Sequence, residues 1–447
     1  MARRTLIRHG HVVSLDDRTG CRPNTDILVE NGRIAAVGED LEAADAEVLD
    51  ASGTIVAPGF VDTHRHTWQT NIRGLLPSCT LDTYRDSVVD RIGPVYRAED
   101  IHNGNLWGAL EALNAGITTL VDWSHCNNTP EHADAGVEAL RTAGIRAMYA
   151  HGTPSGADFW IGSVKDHPDD ARRVRSRHFS SDDDLLTFAL AVRGPRHCVP
   201  EVVKHDWELA RELDARLTTH SGLRRSGPQL ATVTELAKAG LLGADTTYVH
   251  LNNNTPAELE LLADSGGSAS LAPYVEMVMG HGRPPIGELL AHGIAPSLSV
   301  DVTTTSPGDM FTQMRVALAA GRLAEFDAGA GHTFRPALTH HDVLGFATTA
   351  GAAACGLGAR IGSITPGKDA DLVLVRTDAV NTFPVSDPIG ILVASADVSN
   401  VDTVMVRGEI RKRHGALVGV DLAALREKVE SSRRFVLSSA GFDNWLA

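Results

Sequence analysis

Apolar and polar positions fall into two regimes along this chain. From residue 4 to about 57, short apolar runs alternate with Asp, Gly and Asn turn residues. Thr5–His9, His11–Leu15, Asp26–Glu30 and Arg33–Gly38 read as strands. Asn31-Gly32, between the last two, is a hairpin signal. A similar β-rich block returns at Ala370–Arg376 and Val401–Lys412. The pattern predicts one small β-domain built from both chain ends, with a larger domain inserted between them.

The middle alternates strand-like and helix-like segments, as βα units around a parallel sheet do. Strand ends fall at Val61–His66, Thr118–Asp122, Ala147–His151, Ala189–Arg193, Leu217–His220, Thr247–His250, Ala269–Pro273 and Ser297–Asp301. Helical stretches lie between most of them: Glu99–Ala115, His132–Ala143, Trp207–Asp214, Thr232–Ala239, Pro256–Ser265 and Ile286–His292. The expected fold is α/β: a (β/α)8 TIM-like barrel over 58–361, with a small β-sandwich domain from 1–57 and 362–447, the latter including a C-terminal helix or tail. The polar segment 153–184 lacks periodicity and reads as a long loop, a candidate lid over the barrel mouth. Within it, Asp182-Asp183-Asp184 reads as a solvated helix start rather than a metal cluster.

Composition narrows the partners. The 447 residues are 43% hydrophobic and 22% charged, with a net charge of −15. That excess of acid argues against nucleic acid, which needs a basic surface, and gives no support to binding an anionic membrane. Cys21, Cys79, Cys126, Cys198 and Cys355 are scattered without C-x-x-C spacing, so a reducing cytoplasm is expected rather than a disulfide framework. The N-terminal residues carry no apolar stretch of secretory type.

Candidate chemistry begins where the apolar run Ile55–Val61 drives into His64-Arg65-His66. In an extended strand, residues i and i+2 share a face, so both imidazoles point one way. Alone, the pair is either a metal site or two surface histidines. The other predicted strand ends change that balance: the fifth ends in His220, the sixth in His250, the eighth in Asp301. In a barrel these ends converge at one mouth, where such folds carry their chemistry. Imidazoles with a carboxylate suit Zn²⁺, Fe²⁺ or Mn²⁺ rather than soft metals.

These motifs resemble the amidohydrolase superfamily, in its cytosine-deaminase-like and triazine-hydrolase-like branch. The resemblance runs over nearly the whole chain. It rests on Ala57–His66, on Gly116–Asp122, on Thr219-His220, on Val249-His250, on Ser299–Asp301 with Gly308–Phe311, and on the closing Gly362–Leu372. It implies one divalent metal ion, zinc first, held by His64, His66, His220 and Asp301, with His250 polarising or positioning the substrate. No lysine stands at the predicted fourth strand end, which argues against the carboxylated-lysine binuclear form. The implied activity is attack of metal-activated water on a C–N or ester/amide carbonyl centre of a small aromatic or heterocyclic substrate, with Asp301 taking the proton. A homo-oligomer, a dimer, is the expected assembly.

One departure matters. Many deaminases of this branch carry His-x-x-Glu after the fifth strand, whereas this chain has His220-Ser221-Gly222-Leu223. Leucine moves no proton. Glu276 is either its replacement or a surface carboxylate. The same departure keeps open a ring-closing alternative, benzoxazole formation from a 3-hydroxyanthranilate-derived ester in secondary metabolism. A metal-free assembly protein is a third reading, against which the full ligand set argues. Other candidates each have two readings. His125 and His151 contact substrate or lie behind it. Arg193 grips a substrate carboxylate or is a surface arginine. Trp68 and Gln69 wall a ring or belong to the core, and Asn252 touches ligand or serves a turn.

Overall fold

A computed structural model describes residues 4–181, 183–223, 231–329 and 337–445. Two sheets organise the chain. Eight parallel strands, in chain order, form one of them. They are Phe60–Arg65, Ile117–Ser124, Arg146–His151, Leu186–Ala191, Arg216–Ser221, Thr246–His250, Ser268–Leu271 and Ser297–Leu298. Helices follow them, among them Ala98–Asn114, Pro130–Ala143, Pro200–Glu212, Thr232–Lys238 and Pro256–Ser265. Beyond the last strand, Asp301 forms a parallel bridge with Arg65 of the first and closes the barrel. The expected (β/α)8 barrel is therefore present, and its strands are buried on both faces, as parallel sheets with helical cover require.

The second sheet has nine strands and draws on both chain ends. Thr54–Pro58 pairs antiparallel with Leu372–Arg376, joining the two ends in register from Arg376↔Thr54 to Leu372↔Pro58. Its apolar core includes Ile7, Ile27, Val29, Ile34, Val56, Leu372, Leu374 and Met405. Asn31 and Gly32 both take positive φ, 51° and 81°, as the hairpin signal required. The two runs expected at Thr5–His9 and His11–Leu15 form one strand, Arg4–Val13, with register shifts between Ile7 and Gly10 and between Gly10 and Val12. Pro58-Gly59-Phe60 carries the chain from one sheet into the other. A Cβ on Gly59 would stand 2.2 Å from the Thr118 side chain, so only glycine passes there.

By contacts, the chain divides into two compact units. One comprises Met1–Thr63, Leu110–Leu120 and Asp309–Val420, the other His64–Ala109, Val121–Gly308 and Asp421–Ala447. Every candidate site residue falls in the second. So does the C-terminal helix Leu422–Ser439, pinned by Arg97 stacked 3.5 Å over the Phe435 ring and by Asn103 Nδ2 donating to Ser432 Oγ at 3.0 Å.

Three expectations need correction. Segment 153–184 is not one long loop: it contains the helix Asp170–His178, whose Val174 and Ala171 are buried. Its short amphipathic stretch is masked in sequence by four arginines and a histidine. Asp183 and Asp184 lie in a turn leading into the fourth barrel strand, not at a helix start, and Asp182 lies outside the described residues. The seventh strand stops at Leu271, because Pro273 occupies the first turn of the helix Pro273–Val278, a position that needs no N–H donor. No helix among the described residues is long and apolar enough to cross a membrane.

Candidate active site

The first barrel strand delivers His64 and, one residue past its end, His66. Both are buried. Asp301 reaches them through the backbone as well as the side chain. Its N–H donates to the His64 carbonyl at 2.9 Å, and the His66 N–H donates to its carbonyl at 2.9 Å. Asp301 Oδ1 then lies 3.3 Å from His64 Nε2 and 3.3 Å from His66 Nε2. His250 Nε2 comes within 3.8 Å of Asp301 Oδ2. His220 completes the group, its ring 4.8 Å from that of His64 and 5.4 Å from that of His250. Two overlapping triads, His64/His66/Asp301 and His64/His220/His250, each keep their ligand atoms within 4.8 Å of one another.

This spacing fits a metal ion. Ligand atoms about 2.0–2.1 Å from one tetrahedral ion stand about 3.3–3.4 Å apart. The protonation states fit too. Burial pulls His64 down to about 3, against the opposing hydrogen bond to Asp301. Burial, reinforced by the neighbouring imidazoles, pulls His220 well below its ordinary value. Burial alone pushes Asp301 up, but the adjoining His64 and His66 rings outweigh it and hold the carboxyl well below the usual range. Neutral imidazoles and an ionised carboxylate are the forms that ligate metal.

The outer contacts fix which nitrogen faces the centre. His66 Nδ1 donates to the Trp123 carbonyl at 3.1 Å, which leaves Nε2 as the inward acceptor. His250 Nδ1 lies 3.2 Å from Glu276 Oε1. Glu276 is fully buried in the helix Pro273–Val278, and also accepts from the Ala272 N–H at 2.7 Å and from Asn252 Nδ2 at 3.0 Å. It is thus neither a surface carboxylate nor a group facing the cavity: it stands behind His250 and orients it. Asn252 orients Glu276 in turn. Backbone strain accompanies this precision, since His250, Leu251 and Asp301 all take positive φ, at 78°, 59° and 64°.

A cavity opens over this cluster, with about 770 Å³ of space including its solvent-open mouth. His66, His220, His250 and Asp301 form part of its lining, with His125, Trp160, Leu223 and Tyr84 around them. Burial and the nearby His66 hold His125 well below its ordinary pKa, so it faces the cavity as a neutral ring. Trp68 and Gln69 lie one layer back. Trp68 packs edge-on against Tyr96 and His125, and Gln69 Nε2 donates to the Tyr84 hydroxyl at 2.5 Å.

Two candidates lie elsewhere. His151 is buried against His167, 3.0 Å from its Nε2, and 3.6 Å from Asp170. Arg193 is not at the surface and does not line the cavity. It is 1% exposed, ion-paired with Asp206 at 3.2 Å, and donates to Ser163 Oγ and the Lys165 carbonyl. Sequence reasoning passed over Tyr84, Arg85, Trp160, Arg196, His197 and His281, which do line it. Arg196-His197, three and four residues past Arg193, was the available signal: loops after barrel strands return to the mouth.

A model of the amidohydrolase family matches residues 55–411. A 5'-deoxyadenosine deaminase of Methanothermobacter thermautotrophicus is 29% identical over 91% of this chain and 93% of its own length. A 5-methylthioadenosine/S-adenosylhomocysteine deaminase of Symbiobacterium thermophilum is 27% identical over 91% and 93%. Among solved structures, a zinc-bound adenosine deaminase from Xanthomonas campestris superposes with a TM-score of 0.84 at 24% identity, covering 97% of this chain and 98% of that one. Atrazine chlorohydrolase from Arthrobacter aurescens, complexed with zinc, gives 0.82 at 22%, covering 96% and 100%. The structural likenesses establish the barrel fold. With most of its length inside the family model and its histidines and aspartate gathered at the barrel mouth, this chain belongs to the amidohydrolase family.

Proposed function

We propose that this chain is a metal-dependent hydrolase of C–N bonds in small aromatic or heterocyclic molecules, of deaminase type. The observation that carries the reading is the 3.3 Å approach of Asp301 Oδ1 to both His64 Nε2 and His66 Nε2 at the floor of the cavity. His64, His66, His220 and Asp301 would hold one divalent ion, zinc by donor chemistry and by the zinc in the two similar structures. When bound, such an ion supplies Lewis acidity and makes hydroxide available near neutral pH.

The chain's own residues do the rest. Asp301 Oδ2, the oxygen turned toward His250, accepts the proton of the attacking water and returns it to the leaving amine. His250, held through Nδ1 by Glu276, presents Nε2 toward Asp301 Oδ2 and positions the substrate beside it. Trp160 and Leu223 displace water from the walls. The deaminase names of the relatives support the same class of reaction. One feature favours a second reading, ring-closing condensation at the same centre: Leu223, on the wall of the cavity, offers no proton carrier for a ring nitrogen.

Metal analysis of the purified protein, with ammonia release measured over a panel of amino-substituted heterocycles, tests the first reading. Bound divalent metal, ammonia release, and loss of both in His66→Ala are expected. Metal with no ammonia from any amine, but a fused-oxazole absorbance from an ortho-aminophenol ester, favours the second reading and overturns the first. Turnover undiminished in a metal-free His66→Ala protein overturns both.

A further inference from the structure

Among the described residues, four charged side chains line the cavity. Asp301 lies at its floor among the histidines, and Asp82, Arg85 and Arg196 stand farther out. Arg196 is half-buried, and its guanidinium donates from Nη1 to the Leu223 carbonyl at 2.8 Å. Among the described residues no carboxylate lies within ion-pair distance of it. Arg85, on the segment Arg85–Ile92, comes no closer than 3.8 Å to Asp90, its one ion-pair partner among the described residues. Its Nε is buried without a hydrogen bond. Burial and the repulsion between these two guanidiniums both work against the charge on Arg196.

A guanidinium withdrawn from water is costly unless an anion meets it. In a protein with a net charge of −15, a half-buried Arg196 that faces the cavity with no carboxylate in ion-pair distance, beside an Arg85 held only loosely by Asp90, is not a background effect. Their planar forks suit a carboxylate or phosphate oxygen pair. We infer that the substrate is an aromatic or heterocyclic molecule bearing an anionic group, carboxylate or phosphate, which Arg196 and Arg85 grip while the ring reaches the ligand cluster. The inference deepens the proposed hydrolase reading and rests on it for the position of the reacting carbon, but not for the preference in binding.

Calorimetric titration separates the two. Benzoate, phenyl phosphate and the neutral isostere benzamide are each titrated into zinc-loaded and chelator-stripped full-length protein. At least one anion should bind about tenfold or more tightly than benzamide in both states, a margin typical of a charge-assisted pair. The tighter of the two anions identifies the group. Arg196→Gln and Arg85→Gln, checked for native circular dichroism, should each lose about tenfold for that anion and leave benzamide unchanged. Equal binding of benzamide, a preference that survives both substitutions, or one that vanishes on stripping the metal overturns the inference. Failure of the hydrolase reading would show instead as absent ammonia release with the anion preference intact.

Discussion

Asp301 and His66 meet twice: the His66 N–H donates to the Asp301 carbonyl at 2.9 Å, and His66 Nε2 lies 3.3 Å from Asp301 Oδ1. The bridge that closes the barrel therefore also sets the separation of two candidate ligand atoms. Side-chain chemistry and backbone closure can be pulled apart here. Asp301→Asn keeps the backbone bridge and loses the anionic oxygen. It should leave the circular dichroism spectrum native while metal affinity falls by at least ~100-fold, beyond what outer contacts cost. An Asn variant that retains stoichiometric metal after dialysis would remove Asp301 from the ligand set.

Glu276 shares a 3.2 Å contact with His250 and is expected to act through it. Glu276→Gln keeps the volume and the acceptor oxygen but removes the charge. The expected result is a kcat lower by roughly 10–100-fold, with KM changed little, because the charge behind the imidazole is lost rather than the cavity. A variant in which KM rises and kcat stays would place Glu276 on the substrate instead.

Arg193 gives the opposite expectation. Its guanidinium satisfies Asp206 in a fully buried pair, so Arg193→Met leaves a carboxylate stranded. Unfolding measurements should register a loss of about 3–5 kcal/mol. Turnover per folded molecule should stay within about twofold, since the side chain does not reach the cavity. A selective rise in KM without a stability loss would contradict this.

Lys412 predicts a pH effect on stability. It is buried, donates to the Asn114 carbonyl at 2.7 Å, and burial lowers its pKa from 10.5 to about 8. Between those values the unfolded chain binds the proton more fully than the folded one, so this residue's contribution to stability rises with pH. The stability difference between wild type and Lys412→Met should therefore shift toward wild type from pH 8 to 10, by at most about 1.4 kcal/mol per pH unit. A difference flat across that range would contradict the assignment.

Much of this was legible in the sequence, for physical reasons that differ by residue. His64, His66, His220 and His250 could be read because each sits at a fixed offset from an apolar run, and parallel strands bring such offsets together. The nine-stranded sheet was legible through hairpin chemistry at Asn31-Gly32. Arg193 misled because it follows the fourth barrel strand, two residues past Ala191, while its side chain turns away into an ion pair, which one chain segment cannot reveal. Tyr84 and Arg85 were invisible because they lie on short helical turns after the first strand, without the periodicity that marks an element. Glu276 was found as a residue, but the helix that buries it begins at a proline that reads equally as a turn.

The central claim is that His64, His66, His220 and Asp301 share one catalytic ion. Mass-spectrometric metal content of the purified protein, taken with turnover before chelation, after it and after readdition of zinc, tests this most directly. About one divalent ion per chain, with activity that leaves and returns with it, is expected for a closed tetrahedral donor set. Protein that carries no ion and still turns over at the same rate would contradict it.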